Sequence, residues 1–578
     1  MSSRFLLIAL FSVSLGLPLS PQEKTRADAR VGSAEAAHWR EDLRWMADEM
    51  PKRHKNLFHT ITRGQFERAV SKLDERIPSL ARHQIIVEMA RIAAMIGDGH
   101  TNIAPTRDPK IGFRAYPVKF YLFQDGLYVR AAAREHADLL GARVLKIGDS
   151  PVDKAYDSVR EIIGRDNEMD VKFFAPFLLA MPEVLHALGL VEDMERADFT
   201  IESRGRQRII GLKPAGQAEM MAPDTNMSWL PGTDWVDARD GARRPAPLWV
   251  KDPRNKFWFQ YMPDRRAVYV QFNQVGNKED ETVEDFAARL FAFVEANPVE
   301  RLVLDLRLNR GGDGGLNRPL LLANIRSKKI DQKGRLFTIV GRSTWSAAQS
   351  LVNELEKYTN TTFVGEPTGG KVNSYGDSRR ITLPNSGITV RVSTLWWQGD
   401  ERDRRQWTAP QIAAEPTFED YRTNNDPALT AALTHVPTKS LVELLREAVS
   451  AENFRLAAER FRQWKAEPAN AYADVEVQVN SLGYELMASK QLEQAIEVFK
   501  LNVAAYPHSA NVYDSLGEAY RAKGKRELAI QNYEKALELE PNRNSAIEAL
   551  KELRSMKKGS ESSSSVSPLR RGEQSRQR

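Results

Sequence analysis

The sequence predicts a multidomain α/β protein that is followed by an all-α repeat domain. Three observations carry this prediction. Strand-like and helix-like segments alternate between residues 257 and 435, and a set of residue types recurs every 34 positions between residues 439 and 555. A third is the length, because 578 residues exceed what one hydrophobic core normally organises and indicate three or four domains. Hydrophobic residues at 42% and charged residues at 28% are typical of a soluble globular protein.

The N-terminus carries the features of an export signal. Arg4 precedes an apolar run, residues 5–17, that has the length of a signal-peptide core and is too short to span a membrane. We therefore predict a signal peptide over residues 1–27 and an exported protein, periplasmic or secreted. A buried or frayed N-terminal helix is the alternative. No later stretch reaches 18 apolar residues, so stable membrane insertion is not expected.

Three regions precede the alternating segment. Residues 36–115 have apolar residues at helical spacing, such as Trp39 and Leu43, and are predicted to be helical. Residues 116–215 have shorter apolar runs around an Asp-Gly turn signal and are predicted to form a small β-rich module. Residues 216–256 are rich in Pro, Gly, Trp and Asp, and are predicted to be a long loop or linker.

The alternating segment, residues 257–435, has the pattern of a covered, largely parallel sheet. A nearly continuous apolar run at 302–306 is typical of a buried parallel strand. A helix is predicted over 318–325, a strand over 336–340 and a second helix over 347–358.

The repeat domain, residues 439–555, is defined by three features that each recur 34 residues on. The pairs are Leu482-Gly483 with Leu516-Gly517, Ala495 and Phe499 with Ala529 and Tyr533, and Pro507 with Pro541. This period and these small and large residues are those of tetratricopeptide repeats, and a degenerate unit precedes them. The segment is a candidate binding site for a protein partner.

Composition excludes several kinds of chemistry. The chain has no cysteine, which excludes disulfides, thiolate metal sites and a cysteine nucleophile. The net charge of +6 is small for this length, and part of it lies in the serine-rich tail of residues 556–578, which we predict to be disordered and solvated. Binding of this tail to nucleic acid or anionic lipid is the alternative, and no nucleic-acid partner is predicted.

Three segments carry groups that could do chemistry, and the first surrounds His100. This histidine lies between small residues on a predicted loop, where an exposed imidazole with an ordinary pKa near about 6.5 suits a general base. Asp98 beside it could suggest a metal, but no further cluster of ligands is apparent in the sequence. Neither a metal nor a cofactor is therefore predicted.

The other two segments each follow a predicted strand. After the strand at 302–306, the backbone N–H groups of Gly311 and Gly312 could form half of an oxyanion hole, with a tight strand-to-helix turn as the alternative. Ser346 follows the strand at 336–340 and begins a predicted helix, whose N–H groups and dipole favour a developing oxyanion. A serine that only caps this helix is the alternative.

In this order, the segments resemble the tail-specific (C-terminal processing) serine peptidases. The resemblance rests on a Gly-Asp-Gly-His loop, an Asp-x-Arg-x-Asn-x-Gly-Gly turn, a Thr-Trp-Ser-Ala-Ala segment and Gly-Glu-Pro-Thr-Gly-Gly at 365–370. It covers the chain to about residue 429, and it is closest to the branch of the tricorn core and the interphotoreceptor retinoid-binding protein. It implies a crotonase-like α/β peptidase core, with residues 116–215 as a PDZ-like module that holds the C-terminus of a polypeptide substrate.

The same resemblance implies roles for single residues. Ser346 is expected to be the nucleophile. The N–H groups of Ala347 and of Gly311 or Gly312 are expected to form the oxyanion hole.

The identity of the general base is open between two residues. The tricorn-like branch uses a histidine at the position of His100, whereas the processing-peptidase branch uses a lysine at the position of Lys371. We favour His100, because Ser–His transfer needs only an ordinary histidine pKa whereas a lysine base needs a strongly lowered one. Gly99 stands where the tricorn-like branch has a serine, and the third member of the triad has no clear counterpart in residues 400–403.

Two functions are consistent with these features. The first is a serine-type endopeptidase that cleaves polypeptides through an acyl-enzyme intermediate, with Ser346 as nucleophile and His100 as general base. The second is a catalytically inactive binding or scaffold protein that keeps the peptidase fold and recruits partners through its repeats. The presence of serine, candidate base and glycine turn favours the enzyme.

Overall fold

The computed structural model describes residues 30–215, 229, 232, 234–401 and 403–561. The predicted signal peptide, residues 1–27, lies outside the described residues, as do residues 562–578 of the predicted tail. The chain divides into two compact units. The first comprises Met1–Thr408 and Ala414–Thr434, and the second comprises Ala409–Ala413 and His435–Arg578.

The first unit begins with three helices, as the helical spacing predicts: α1 (Ser33–Arg53), α2 (Arg63–Arg76) and α3 (Arg82–Ala94). The start of α2 is fixed by a capping box, in which the Thr62 side chain accepts from the Gln65 N–H and the Gln65 side chain accepts from the Thr62 N–H. The apolar side chains of α1 and α3 are buried, so these helices are held by a hydrophobic core rather than by helix propensity alone.

A seven-stranded antiparallel sheet follows. Its strands are β1 (Val118–Phe123), β2 (Gly126–Ala133), β3 (Arg143–Ile147), β4 (Ser150–Pro151), β5 (Ala197–Ser203), β6 (Arg206–Leu212) and β7 (Trp235–Asp237). Their order is β1-β2-β3-β5-β6, with β4 paired to β3 and β7 to β2. Three helices lie between β4 and β5 in the chain: α4 (Val152–Arg160), α5 (Glu168–Leu178) and α6 (Pro182–Ala187).

Part of the segment predicted to be a loop, residues 216–256, is a strand. Strand β7 pairs with Ala131–Ala133 of β2, and the side chains of Trp235 and Asp237 are both buried. The high Trp, Pro and Gly content concealed a three-residue strand that is stabilised only by a distant partner. One continuous core contains residues of the three N-terminal helices and of this sheet, so the two regions predicted separately pack together.

The second sheet carries the alternating pattern seen in the sequence. Its strands are β8 (Phe257–Met262), β9 (Ala267–Phe272), β10 (Arg301–Asp305), β11 (Leu336–Val340) and β12 (Thr362–Gly365). The connections contain α7 (Val283–Ala296), α8 (Arg318–Arg326) and α9 (Ala347–Tyr358). The order is β12-β11-β10-β9-β8, in which β9 to β12 run parallel and β8 pairs antiparallel with β9. The loops after β10, β11 and β12 therefore meet at one edge of the sheet, where ligands of parallel sheets bind.

The rest of the first unit forms two hairpin-like pairs and two short helices. The strands are β13 (Asn373–Gly376), β14 (Arg379–Thr382), β15 (Thr389–Val392) and β16 (Leu395–Gln398), of which β13 pairs with β16 and β14 with β15. The helices are α10 (Phe418–Arg422) and α11 (Pro427–Thr434).

The second unit contains the short strand β17 (Ile412–Ala413) and seven helices of the repeat region. These are α12 (Leu441–Ser450), α13 (Phe454–Ala466), α14 (Glu476–Ala488), α15 (Leu492–Ala505), α16 (Ala510–Ala522), α17 (Arg526–Leu539) and α18 (Asn544–Glu561). The recurring glycines have a packing role, because a Cβ on Gly483 would lie 2.4 Å from the Phe499 ring and one on Gly517 would lie 3.1 Å from the Tyr533 ring. Within the described residues, no helix is both long enough and apolar enough to cross a membrane.

Candidate active site

Ser346 occupies a strained turn between β11 and α9. Its backbone has φ 55° and ψ −127°, a conformation that costs a non-glycine residue about 1–3 kcal/mol and that occurs mainly at functional sites. The side chain makes no capping hydrogen bond to α9, so the simple N-cap alternative does not describe it. Its Oγ lies instead 3.1 Å from Nε2 of His100, a residue 246 positions away in the chain.

The loop that carries His100 is shaped by the buried carboxylate of Asp98. One carboxylate oxygen accepts from the backbone N–H groups of His100 at 3.1 Å and Thr101 at 2.8 Å, and from the Ser393 hydroxyl at 2.6 Å. The other oxygen accepts from Nε2 of His54 at 2.9 Å. Burial raises the pKa of Asp98, but the hydrogen bonds, led by that from His54, hold the pKa well below its usual range. Asp98 is therefore an ionised anchor for the loop.

The His100 imidazole lies against the indole of Trp345. The two rings stack with centroids 3.8 Å apart at an interplanar angle of 18°. Trp345 Nε1 donates to Asp166 at 3.0 Å, and the other oxygen of Asp166 accepts from the Gly99 N–H at 2.9 Å, so one carboxyl group holds both the indole and the loop. A Cβ on Gly99 would lie 2.9 Å from the Trp345 ring, which explains why this position has no side chain.

The pKa of His100 departs from the ordinary value expected from the sequence. This pKa is lowered to about 4, chiefly by burial; the charge of Asp98 opposes this shift in part, and the positive charge of Arg310 adds to it. The second ring nitrogen, Nδ1, is buried beside the Tyr375 backbone, which raises the pKa slightly, but it has no hydrogen bond of ordinary geometry with any described residue. No described carboxylate bonds to Nδ1, so the third member of a triad is not present in this arrangement.

Two of the predicted oxyanion residues, Gly311 and Ala347, lie beside Ser346. A Cβ on Gly311 would lie 2.8 Å from the Ser346 Cβ and 2.8 Å from the Ala347 nitrogen, which places this glycine against the serine. The Gly311 N–H, however, already donates to Oδ1 of Asn309 at 2.8 Å. The Gly312 N–H has no partner among the described residues, and the Ala347 N–H is in the first turn of α9, where no intrahelical acceptor exists. Of the two glycines, Gly312 has the N–H that is free to bind an oxyanion.

The Asp-x-Arg-x-Asn part of the glycine turn is structural. Arg307 donates to both oxygens of Asp305 and, through its two terminal nitrogens, to the carboxylate of Asp426 at 2.9 and 3.0 Å. Asn309 accepts the Trp345 N–H on its backbone oxygen at 3.1 Å. The motif thus joins the glycine turn to the serine turn, which sets the distance between the oxyanion donors and Ser346.

Lys371, the other candidate base, follows two glycines that contact the serine turn. Its Gly369-Gly370 neighbours donate their N–H groups to the Thr344 carbonyl, which braces the serine turn. In the described part of the chain, no hydrogen bond or ion pair joins Lys371 to Ser346. The lysine acts electrostatically on Asp166 and its neighbour Asp170 instead, lowering their pKa values.

Asp166 and Asp170 form a buried acid pair that the sequence patterns did not identify. The Asp166 N–H donates to the Asp170 carboxyl at 2.9 Å. Burial raises the pKa of both carboxyl groups above the usual range; the charge of Asp98 adds to the shift of Asp166, and the charge of Asp166 adds to the shift of Asp170. Their spacing of four residues at the start of α5 was the available signal, but such spacing is common on helix surfaces.

One group of residues has the composition of a metal site. The side chains of His54, His59 and Asp98 bring their ligand atoms within 4.8 Å of one another, the one such group among the described residues. However, Nδ1 of His54 accepts the Asn56 N–H at 2.9 Å, so Nε2 carries the proton and donates it to Asp98. A metal at this Nε2 would require the opposite tautomer and the loss of that backbone bond. The group therefore fits a hydrogen-bonded histidine–carboxylate pair better than a metal site.

Comparison with known proteins matches part of the repeat region to a family and aligns the chain with several solved structures. The tetratricopeptide repeat family matches residues 510–543, which confirms that part of the predicted repeat region. No curated protein matches the chain by sequence. The structure is similar to mature CPAF complexed with lactacystin, with 12% identity, a TM-score of 0.49, and coverage of 69% of this chain and 99% of that one.

Two further structures cover much of the chain at lower similarity. The photosystem II D1 C-terminal processing protease has 14% identity and a TM-score of 0.31, with 69% of this chain and 99% of that chain covered. A putative S41 protease from Bacteroides fragilis NCTC 9343 has 13% identity and a TM-score of 0.29, with 68% and 94% covered.

Proposed function

We propose that this chain is an exported serine peptidase of the tail-specific type. The observation that carries the proposal is the 3.1 Å approach of Ser346 Oγ and His100 Nε2, made by a serine held in a strained backbone conformation at the edge of a parallel sheet. Ordinary packing does not require a serine and a histidine so far apart in the chain to meet at this distance. Activation of a serine nucleophile by a histidine base does require the two side chains to lie this close.

Each of these residues has its own role in acyl transfer. His100 takes the proton of Ser346 Oγ as that oxygen bonds to the substrate carbonyl carbon. The N–H groups of Ala347 and Gly312 bind the oxygen of the tetrahedral intermediate. His100 then gives its proton to the leaving amine as the C–N bond breaks. Water next attacks the acyl carbon while His100 takes its proton, the bond to Ser346 Oγ breaks, and His100 returns the proton to that oxygen.

Asp98 supports this cycle through its charge. It is ionised and lies two residues from His100, so its field favours the imidazolium that forms during each proton transfer. Burial opposes the imidazolium in the resting site, which keeps the base neutral and ready to accept a proton. In this proposal Lys371 is not the base but a cation near the buried acid pair.

Other parts of the proposal rest on the sequence resemblance. Residues 116–215, which include β1 to β6, would act as the PDZ-like module that holds a substrate's C-terminus, and residues 257–435 would be the crotonase-like core. Export rests on the N-terminal apolar run, and the repeats would recruit a protein partner.

Covalent labelling tests the catalytic assignment. A fluorophosphonate probe is expected to label the wild-type protein and not Ser346→Ala, while casein is degraded by the wild type alone. Ser350→Ala, a neighbouring serine on α9, is the matched control and should be labelled normally. Circular dichroism checks the fold, because loss of the Ser346 hydroxyl removes no hydrogen bond to the helix. Labelling or proteolysis that persists in folded Ser346→Ala protein would end the assignment, and an unlabelled wild type would favour the binding-protein alternative.

A further inference from the structure

A small pocket opens beside His100. It has a volume of about 80 Å³, and His100, Trp345 and Arg310 form the wall nearest the dyad. The opposite walls are largely apolar, with side chains from the residues Ile103, Ile162, Ile163, Phe174 and Leu178. Arg310 directly precedes the two glycines of the oxyanion turn, so the pocket is adjacent to the reacting atoms.

The guanidinium of Arg310 is held in this pocket by aromatic rings rather than by carboxylates. Its central carbon lies 4.3 Å from the centroid of the Phe173 ring, and 5.0 Å from the centroids of both the Phe174 and Trp345 rings. Nη1 is buried without a hydrogen-bond partner, and no ion pair joins this arginine to any described residue. Burial, with the charge of Arg107, lowers the pKa of Arg310 to about 9.

The buried acids nearby do not supply the missing partner. The charges of Asp170 and Asp166 both raise the pKa of Arg310, but neither carboxyl group forms an ion pair with it within the described residues. Burial and the charge of Asp166 raise the pKa of Asp170, which favours its neutral form. Its Oδ1 is buried and also lacks a partner. Arg107 and Arg391 also line this pocket. The pocket therefore combines apolar walls with three arginines, of which Arg310 has no ion-pair partner within the described residues.

We infer that this pocket is a specificity subsite for an acidic side chain, glutamate or aspartate, of the polypeptide substrate, with Arg310 as the residue that binds its carboxylate. The inference rests on the proposed peptidase function. A carboxylate in the pocket would pair with the guanidinium of Arg310, which lines the pocket and has no ion-pair partner within the described residues. A charge-assisted hydrogen bond shielded from water is stronger than one on the surface. The apolar walls suit the methylene groups of the side chain.

Substrate selectivity of the wild-type protein is the first test. Fluorogenic peptides of one sequence are compared with Glu or its neutral isostere Gln placed in turn at each position flanking the scissile bond. At one of these positions, kcat/KM is expected to be roughly ten- to a hundredfold higher for Glu. Equal cleavage of the Glu and Gln peptides at every position would overturn the inference.

The same peptides separate a side-chain carboxylate from the carboxylate of the chain terminus. Each is made with a free C-terminus and as the C-terminal amide, and the Glu preference is expected to be the same in both forms. A requirement for the free terminus without any Glu preference would show that the pocket takes the C-terminal carboxylate, which contradicts the side-chain assignment.

Variants of Arg310 link the preference to the pocket. The ratio of kcat/KM for Glu over Gln peptides is expected to fall towards one in Arg310→Gln and to be largely restored in Arg310→Lys. Arg318→Gln, the same charge change at an exposed residue of α8, should keep the wild-type ratio. A ratio that Arg310→Gln leaves unchanged would overturn the assignment of this residue.

Fluorophosphonate labelling separates failure of the subsite inference from failure of the proposed peptidase function. A labelled wild type without a Glu preference refutes only the subsite, whereas a wild type that is neither labelled nor active refutes the peptidase function and the subsite with it. The peptide series measured on the wild-type protein tests the subsite by itself, so the inference can still be refuted if a variant misfolds.

Discussion

Burial of His100 predicts an acid limb of the pH–activity profile far below that of an ordinary histidine. The pKa of His100 is lowered from 6.5 to about 4. At 1.36 kcal/mol per pKa unit, this corresponds to about 3 kcal/mol of preference for the neutral imidazole. Because only the neutral form accepts the serine proton, kcat/KM is expected to stay on its plateau down to about pH 5 and to halve near pH 4.

Trp345→Ala tests the physical cause of this shift. The indole covers one face of the imidazole, and its removal lets water reach the ring, which should return the pKa towards 6.5. The ratio of kcat/KM at pH 5 to that at pH 8 is then expected to fall from roughly 0.9 to roughly 0.03, the neutral fractions for pKa values near 4 and 6.5. Each profile is normalised to its own plateau, so a general loss of activity does not affect the comparison.

Two variants control for other effects of the change. Trp45→Ala removes a tryptophan that is 45% exposed on α1, and it should leave the acid limb in place. Trp345→Phe keeps an aromatic ring against His100 but loses the hydrogen bond to Asp166, so a small upward shift is expected. An acid limb between pH 6 and 7 in the wild-type pH–activity profile would refute the burial argument. An acid limb that keeps its position in folded Trp345→Ala protein would refute it as well.

Two further predictions concern the base and the repeats. With one peptide as substrate, His100→Ala should lower kcat by roughly 100- to 10 000-fold, and Lys371→Ala should lower it by much less. A larger loss of kcat in Lys371→Ala than in His100→Ala would indicate a Ser–Lys enzyme. Gly483→Ala should lower the free energy of unfolding in urea, because the new Cβ would lie 2.4 Å from the Phe499 ring and overpacking typically costs about 1–3 kcal/mol, against a gain of about 1 kcal/mol in helix propensity. Gly517→Ala, with its nearest contact at 3.1 Å, is the matched control and should be less destabilising; equal effects would contradict the packing argument.

The sequence predicted those elements that are determined by local pattern. The helix over 347–358 and the strand over 336–340 have the predicted bounds, because good helix formers follow a compact apolar run with a turn between them. The parallel sheet followed from the alternation of such segments. The approach of Ser346 to His100 was expected only from the family resemblance, since no local pattern places two residues 246 positions apart together.

Features that depend on distant contacts were not predictable from the sequence. Strand β7 exists because β2 pairs with it, and its own residues carry little strand signal. The role of Asp166 depends on the positions of Gly99 and Trp345, which are brought to it by separate segments. The lowered pKa of His100 was missed for the same reason: the glycines around it suggest exposure, but the space they leave is filled by the indole.

The same contacts therefore position the base and determine its protonation. Asp166 holds both the Gly99 backbone and the Trp345 indole, and the indole covers the imidazole. Loosening this connection would raise the pKa of His100 and would also release its ring from Ser346. A change that only moved the imidazole would lower activity equally at all pH values, whereas a change that admits water must lower it most at acid pH. The dependence of the loss on pH therefore separates the two effects within one set of variants.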